Sequence, residues 1–130
     1  MSGSDEARAM LTAAEHDFAA IEALRDMPAI ATEIVGFHAQ QAVEKALKAW
    51  IAWTGRDFPY THNLVALFNL LEEGGCDVER FKPLVQYDAF AVQFRYTPMD
   101  LPDAELDCAE AVREVRKLLE HVQRVMGEGS

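Results

Sequence analysis

The chain is poor in the residues that most directly announce chemistry. It has two cysteines, Cys76 and Cys108, in 130 residues. Their separation fits no paired-cysteine metal motif and indicates no disulfide framework. Both read as reduced thiols of a cytoplasmic protein, the alternative being one bridge in an exported chain. The opening residues lack the charged, apolar and cleavage regions of a secretion signal. The only serines are Ser2, Ser4 and Ser130, all at ends expected to fray, which argues against a serine nucleophile. No apolar run approaches the roughly 18 residues of a membrane span. Bases are also scarce. Twelve Lys and Arg stand against 22 Asp and Glu, for a formal charge of −10. Such a field repels phosphates, so general binding to duplex DNA is not expected, although a local basic site is still allowed.

Metal and phosphate motifs are missing too. Di-iron bundles need Glu three residues before His. The residues three before His16, His38, His62 and His121 are Ala13, Val35, Pro59 and Leu118. There is no His-Glu-x-x-His, no Gly-x-x-x-x-Gly-Lys loop and no Gly-x-Gly-x-x-Gly turn. No metal and no cofactor are expected. A nucleotide would have to be held by side chains or helix N-termini.

What the chain does have is a high apolar content, 50% of its residues. The length suits one domain over residues 1–130, able to bury about 68–70% of its unfolded surface. Residues 1–4 and 127–130 are expected to be mobile. From about Asp5 to Arg25, Leu11, Ala14, Phe18 and Ile21 follow steps of three and four, the mark of one helical stripe. A second helix is expected from about Ile30 to Thr54, closed by Gly55. It is apolar on two sides, with Val35, Ala39, Ala42, Ala46, Ala49 and Trp53 on one and Val43, Leu47 and Trp50 on the other. This makes it the expected spine of the fold.

Thr61 is the expected N-cap of a third helix carrying Leu64, Leu67, Phe68 and Leu71, ended by Gly74-Gly75. Asp77 can cap a further segment with Phe81, Leu84 and Val85, in which Pro83 lies near the start or at a kink. Gln93–Pro102 reads as a loop. A last helix is expected from about Asp103 to Met126. No alternating strand pattern competes. The expected class is all-α, an up-and-down helical bundle.

Charge is not uniform along the chain. Residues 1–36 hold two bases and seven acids, residues 63–100 three and six, and residues 101–130 four and seven. Residues 37–62 hold three and two, the one block that is net positive. There Gln41, Lys45 and Lys48 share one helical side, and Glu44 stands at i,i+4 to Lys48. The simplest reading of these charges is a solvated face with a helical ion pair. A second polar site is Gln93–Pro98, where Arg95 can grip a phosphate and Tyr96 can stack on a base. Against that, Tyr96 could pack under the loop while Arg95 pairs with a carboxylate.

Three features in order resemble the HEPN family, helical nucleotide-binding domains of higher eukaryotes and prokaryotes. They are Gln-Gln-Ala-Val-Glu-Lys-Ala-Leu-Lys-Ala at Gln40–Ala49, Thr61-His62-Asn63-Leu64 followed by Leu67, and Arg95-Tyr96. The last resembles the family's Arg-Tyr-Pro, with Thr97 standing where the proline is usual. The resemblance spans about Phe18 to Val125. It implies a bundle of about five helices, similar to the C-terminal domain of kanamycin nucleotidyltransferase. It also implies a homodimer, often encoded beside a minimal nucleotidyltransferase as a toxin–antitoxin-like pair. Lys45, Lys48, His62, Arg95 and Tyr96 become the expected ligand-binding set.

Many relatives are metal-independent ribonucleases that use an Arg, four to six residues and then a His. No His follows Arg95 at that distance. Arg56 and His62 do have five residues between them, and form the alternative catalytic pair. Three functions therefore stay open: a nucleotide-binding module with a nucleotidyltransferase partner, an endoribonuclease, and a purely structural interaction bundle.

Overall fold

A computed structural model describes residues 2–27, 32–91 and 106–127. It has four α-helices and one 3₁₀ helix: α1 (Ser2–Leu24), α2 (Thr32–Trp53), α3 (Leu64–Glu73), the 3₁₀ helix (Glu79–Phe90) and α4 (Cys108–Val125). No strand occurs among the described residues, so the all-α reading stands.

The organisation follows from α2. Of its 22 residues, 14 are buried. It packs against α1, α3, the 3₁₀ helix and α4, and so is the central element that its two-sided apolar pattern predicts. Ala39, Ala42, Ala46 and Ala49 are fully buried, as are Ala7 and Ala14 of α1. Small side chains on both helices let their backbones come close, and α1 makes its most extensive contacts with α2. On α1 the predicted stripe is present, with Leu11, Ala14 and Ile21 buried and Phe18 packed against the core. The helix begins at Ser2.

The helix ends are set by identifiable residues. Gly55 closes α2 at φ +89°. Its N–H donates to Ala52 O and the Arg56 N–H to Ile51 O, the Schellman pairing that a left-handed residue allows. The N-cap of α3 is Asn63, not Thr61, since the Asn63 side chain accepts from the N–H groups of Val65 and Ala66. Thr61 acts one step earlier, its hydroxyl accepting from the Asn63 N–H at 3.1 Å. Asp107 caps α4 through the Glu110 N–H at 3.0 Å, and the start expected near Asp103 lies outside the described residues.

The segment after α3 departs from an α pattern for a visible reason. Val78, Phe81, Leu84, Tyr87 and Phe90 are all buried, and each follows the last by three residues. Three residues per turn is the period of a 3₁₀ helix. Burying this row against α2 therefore favours the tighter helix over the wider α turn. Pro83 sits within it, and Asp77 accepts from the Glu79 N–H at its start. At its far end the Phe90 ring rests on Gly36. A Cβ built on Gly36 would stand 2.5 Å from that ring. Any larger residue at position 36 would have to displace the Phe90 ring.

Candidate functional site

Two of the motifs that stood apart in the sequence meet in space. Gln40, Glu44 and Lys48 lie at steps of four on α2, on the side facing the loop that leads into α3. The Gln40 amide donates to the backbone oxygen of His62 at 2.9 Å and to Glu44 Oε1 at 3.2 Å. Glu44 Oε1 also lies 2.9 Å from His62 Nδ1, and Lys48 Nζ donates to Glu44 Oε2 at 3.0 Å. Gln41 donates to Gln40 Oε1 at 2.8 Å, completing the amide's bonding.

Glu44 and Lys48 are not on a solvated face. Their side chains are 5% and 10% exposed, because the loop before α3 closes over them and the Phe58 ring lies 5.5 Å from the ammonium. Breaking a pair so enclosed is costly, since either charge left alone would be buried without a counter-ion. The His62 side chain, by contrast, is 68% exposed. A carboxylate only accepts, so the short contact requires a proton on Nδ1. In the neutral ring Nε2 is then the acceptor.

The start of α3 is tied into the same cluster. Asp88 of the 3₁₀ helix accepts from the Leu64 N–H through both carboxylate oxygens, at 3.2 and 3.0 Å. A carboxylate at a helix N-terminus satisfies an orphan donor and the helix dipole together. Burial pushes the Asp88 carboxyl above its usual range, and the nearby Glu44 adds to this. The Leu64 N–H and Gln40 act in the opposite sense.

The other expected site residues go elsewhere. Lys45 turns toward α1, where Asp17 Oδ2 receives its ammonium at 2.7 Å. His38 Nδ1 meets the other oxygen of Asp17 at 2.9 Å. Lys45 and Lys48 therefore serve two clusters, because three helical steps leave them about 60° apart around α2. Arg56 donates to Leu70 O at 2.5 Å and stands 3.8 Å from Glu73, at the C-terminal end of α3. His62 precedes the N-terminus of that helix, so the two residues occupy opposite ends of α3. Arg95 and Tyr96 lie outside the described residues.

Sequence reasoning missed Gln40, Glu44 and Asp88 as members of the cluster, and Asp17 as the partner of Lys45. Gln40 and Glu44 did stand inside the motif, but an i,i+4 acid–base pair carries no mark of burial. Asp17 and Asp88 join from other elements, and only folding brings them in.

Among the described residues, no three His, Cys, Asp or Glu side chains gather closely enough to hold a metal ion. None of the described helices is long and apolar enough to cross a membrane. No curated protein and no solved structure matches the chain. The profile of the HEPN domain matches residues 7–125, which takes in α2, the α2–α3 junction and all of α4. The chain belongs to the HEPN domain family.

Proposed function

We propose that this HEPN chain is a nucleotide-binding and interaction module. It acts as a homodimer with a minimal nucleotidyltransferase partner, in a toxin–antitoxin-like pair of the cytoplasm. The observation that carries the ligand reading is the junction of Glu44, Lys48 and His62. Glu44 offsets Lys48, so the junction offers hydrogen-bonding edges rather than net positive charge. An exposed imidazole suits the edge of a base or a ribose hydroxyl. Tyr60, two residues earlier, is fully exposed and supplies an aromatic face on which a base can stack. Lys45, Arg95 and Tyr96 stay in the proposed ligand set on the strength of the motifs. Calorimetric titration with ATP, GTP and short RNAs tests this, and the heat of binding should fall in His62→Ala. No heat at millimolar ligand removes the ligand and leaves the protein-partner role. Light scattering tests the dimer, and a monomer at high micromolar concentration rejects an obligate one. Co-purification with a nucleotidyltransferase encoded beside it tests the partner.

One observation favours a second reading, a metal-independent endoribonuclease. A buried carboxylate on Nδ1 of an exposed imidazole orients the ring and supports Nε2 as a general base toward a ribose 2′-OH. In this reading Glu44 partners His62, and Arg56 is a structural residue that ties the connection after α2 to the end of α3. RNA incubated with the protein in EDTA should be cleaved, and cleavage should be lost in His62→Ala and kept in Arg56→Lys. Cleavage that survives His62→Ala rejects the site.

A further inference from the structure

The cations of this acidic chain fall into two groups. Arg25, Lys45, Lys48, Arg56, Lys82 and Arg116 each have a carboxylate within 4.0 Å. Arg80, Arg113, Lys117 and Arg124 have none among the described residues, yet acids outnumber bases by 22 to 12. Three of these four come together. Arg80, Lys117 and Arg124 line one groove of about 350 Å³ between the 3₁₀ helix and α4, which shares no lining residue with the Glu44–His62 junction.

The groove has a floor and a defined spacing. Phe81 and Leu84 form its base from the 3₁₀ helix. The Arg80 guanidinium lies over the Phe81 ring, 4.6 Å from its centroid, and donates to His121 Nδ1 at 2.8 Å. His121 is itself wedged against Trp50 and Phe81, with ring centroids 4.9 and 5.2 Å away. These contacts fix the guanidinium and leave its remaining donors for something else. Lys117 and Arg124 are seven residues apart on α4, two turns on the same face, and therefore roughly 10 Å apart along the helix.

We propose that this groove binds a compact polyphosphate, a ligand carrying two or more linked phosphate groups, with Arg80 at its centre and Lys117 and Arg124 toward its ends. The volume lies in the small-molecule range of about 300–1,000 Å³. Phosphate matches the planar fork of arginine, and a chain of phosphates can span two helical turns where a single anion cannot. Glu114 and Glu120 stand on the same wall. They set a cost for any long anionic polymer laid across the groove, whereas a short ligand can seat its charge at the three cations. Burial and the neighbouring Arg80 and Arg124 hold the His121 pKa below its usual value. The imidazole is thus the neutral acceptor that Arg80 requires.

Inorganic triphosphate, ADP and ATP should each be titrated into the full chain at low salt, with the His121 ring signals followed by NMR. Saturable movement is expected, weakened at least about tenfold in Arg80→Gln and in Arg124→Gln. Arg25→Gln removes an equal charge from a residue that does not line the groove and should leave binding unchanged. Binding of all three ligands assigns the groove to the phosphate chain itself, and binding of the nucleotides alone assigns it to nucleotides. No saturable movement up to about 10 mM overturns the proposal. So does equal affinity in wild type and both arginine variants.

Discussion

His62 Nδ1 lies 2.9 Å from Glu44 Oε1, a carboxylate nearly closed from water bonded to an imidazole that is mostly open to it. The same carboxylate receives Gln40 and Lys48. One buried acid thus ties the middle of α2 to the start of α3. Two of the three motifs that resemble the HEPN pattern are the two halves of this contact.

Glu44→Ala should therefore cost far more than His62→Ala. The first leaves Lys48 buried without its counter-ion, at about 3–5 kcal/mol. The second removes one partner from Glu44, which keeps Gln40 and Lys48, at roughly 1 kcal/mol. Urea denaturation measures both. The double variant Glu44→Leu/Lys48→Met should recover most of the stability lost in Glu44→Ala, because it removes both charges together.

Gly36→Ala should destabilise the fold by about 1–3 kcal/mol, the range for forcing an extra carbon into a filled site. The added Cβ falls on the Phe90 ring, 2.5 Å from its atoms. A smaller partner should relieve it, so Gly36→Ala/Phe90→Leu should be more stable than the sum of the single changes predicts. Additive losses in thermal melts would refute this packing.

Two side chains satisfy the first turn of α3, and each can be removed. Asn63→Ala should cost about 1 kcal/mol through the lost cap. Asp88→Ala should cost about 1–3 kcal/mol, because it orphans the Leu64 N–H. Asp88→Asn should retain much of the stability, since its amide oxygen still accepts.

The stability should depend on pH through His121. Burial, with Arg80 and Arg124 beside it, lowers its pKa from the ordinary 6.5, while Asp77 acts in the opposite sense. Above pH 6.5 both states carry the neutral ring and the full contribution is present. Below it the unfolded chain takes up the proton first, so stability falls until the folded ring also protonates. His121→Phe keeps a ring between Trp50 and Phe81 and should flatten this part of the profile. The measurement is the urea midpoint between pH 7.5 and pH 5, about one and a half units below the ordinary value.

Much of the fold could be read from periodicity, and the reason differs by element. The stripes of α1, α3 and α4 are amphipathic, so spacing alone exposes them. The double apolar face of α2 marked it as central before any neighbour was known. Helix starts were less legible, because Thr61, Asn63, Asp103 and Asp107 are all competent caps and local sequence does not rank them. The 3₁₀ helix escaped notice since Phe81, Leu84 and Val85 also satisfy an α pattern over one turn. Only the continuation to Tyr87 and Phe90 discloses the three-residue period. For the site, the motif residues of α2 and His62 were visible. Their burial and their partners Asp17 and Asp88 were not, because these depend on contacts between residues more than 20 apart in the chain.

The 3₁₀ helix also sets a reach. At about 2.0 Å per residue its 12 residues advance roughly 24 Å, where an α-helix would cover about 18 Å. That extra length carries the chain from the end of α3 to Gly36 near the beginning of α2. It also makes the element a ruler with a coarse graduation. Adding or deleting one residue between Phe81 and Phe90 turns everything beyond it by a third of a revolution and takes Phe90 off its glycine seat. Length changes here should be tolerated, if at all, only in steps of three, while α1 and α4 follow the ordinary helical repeat.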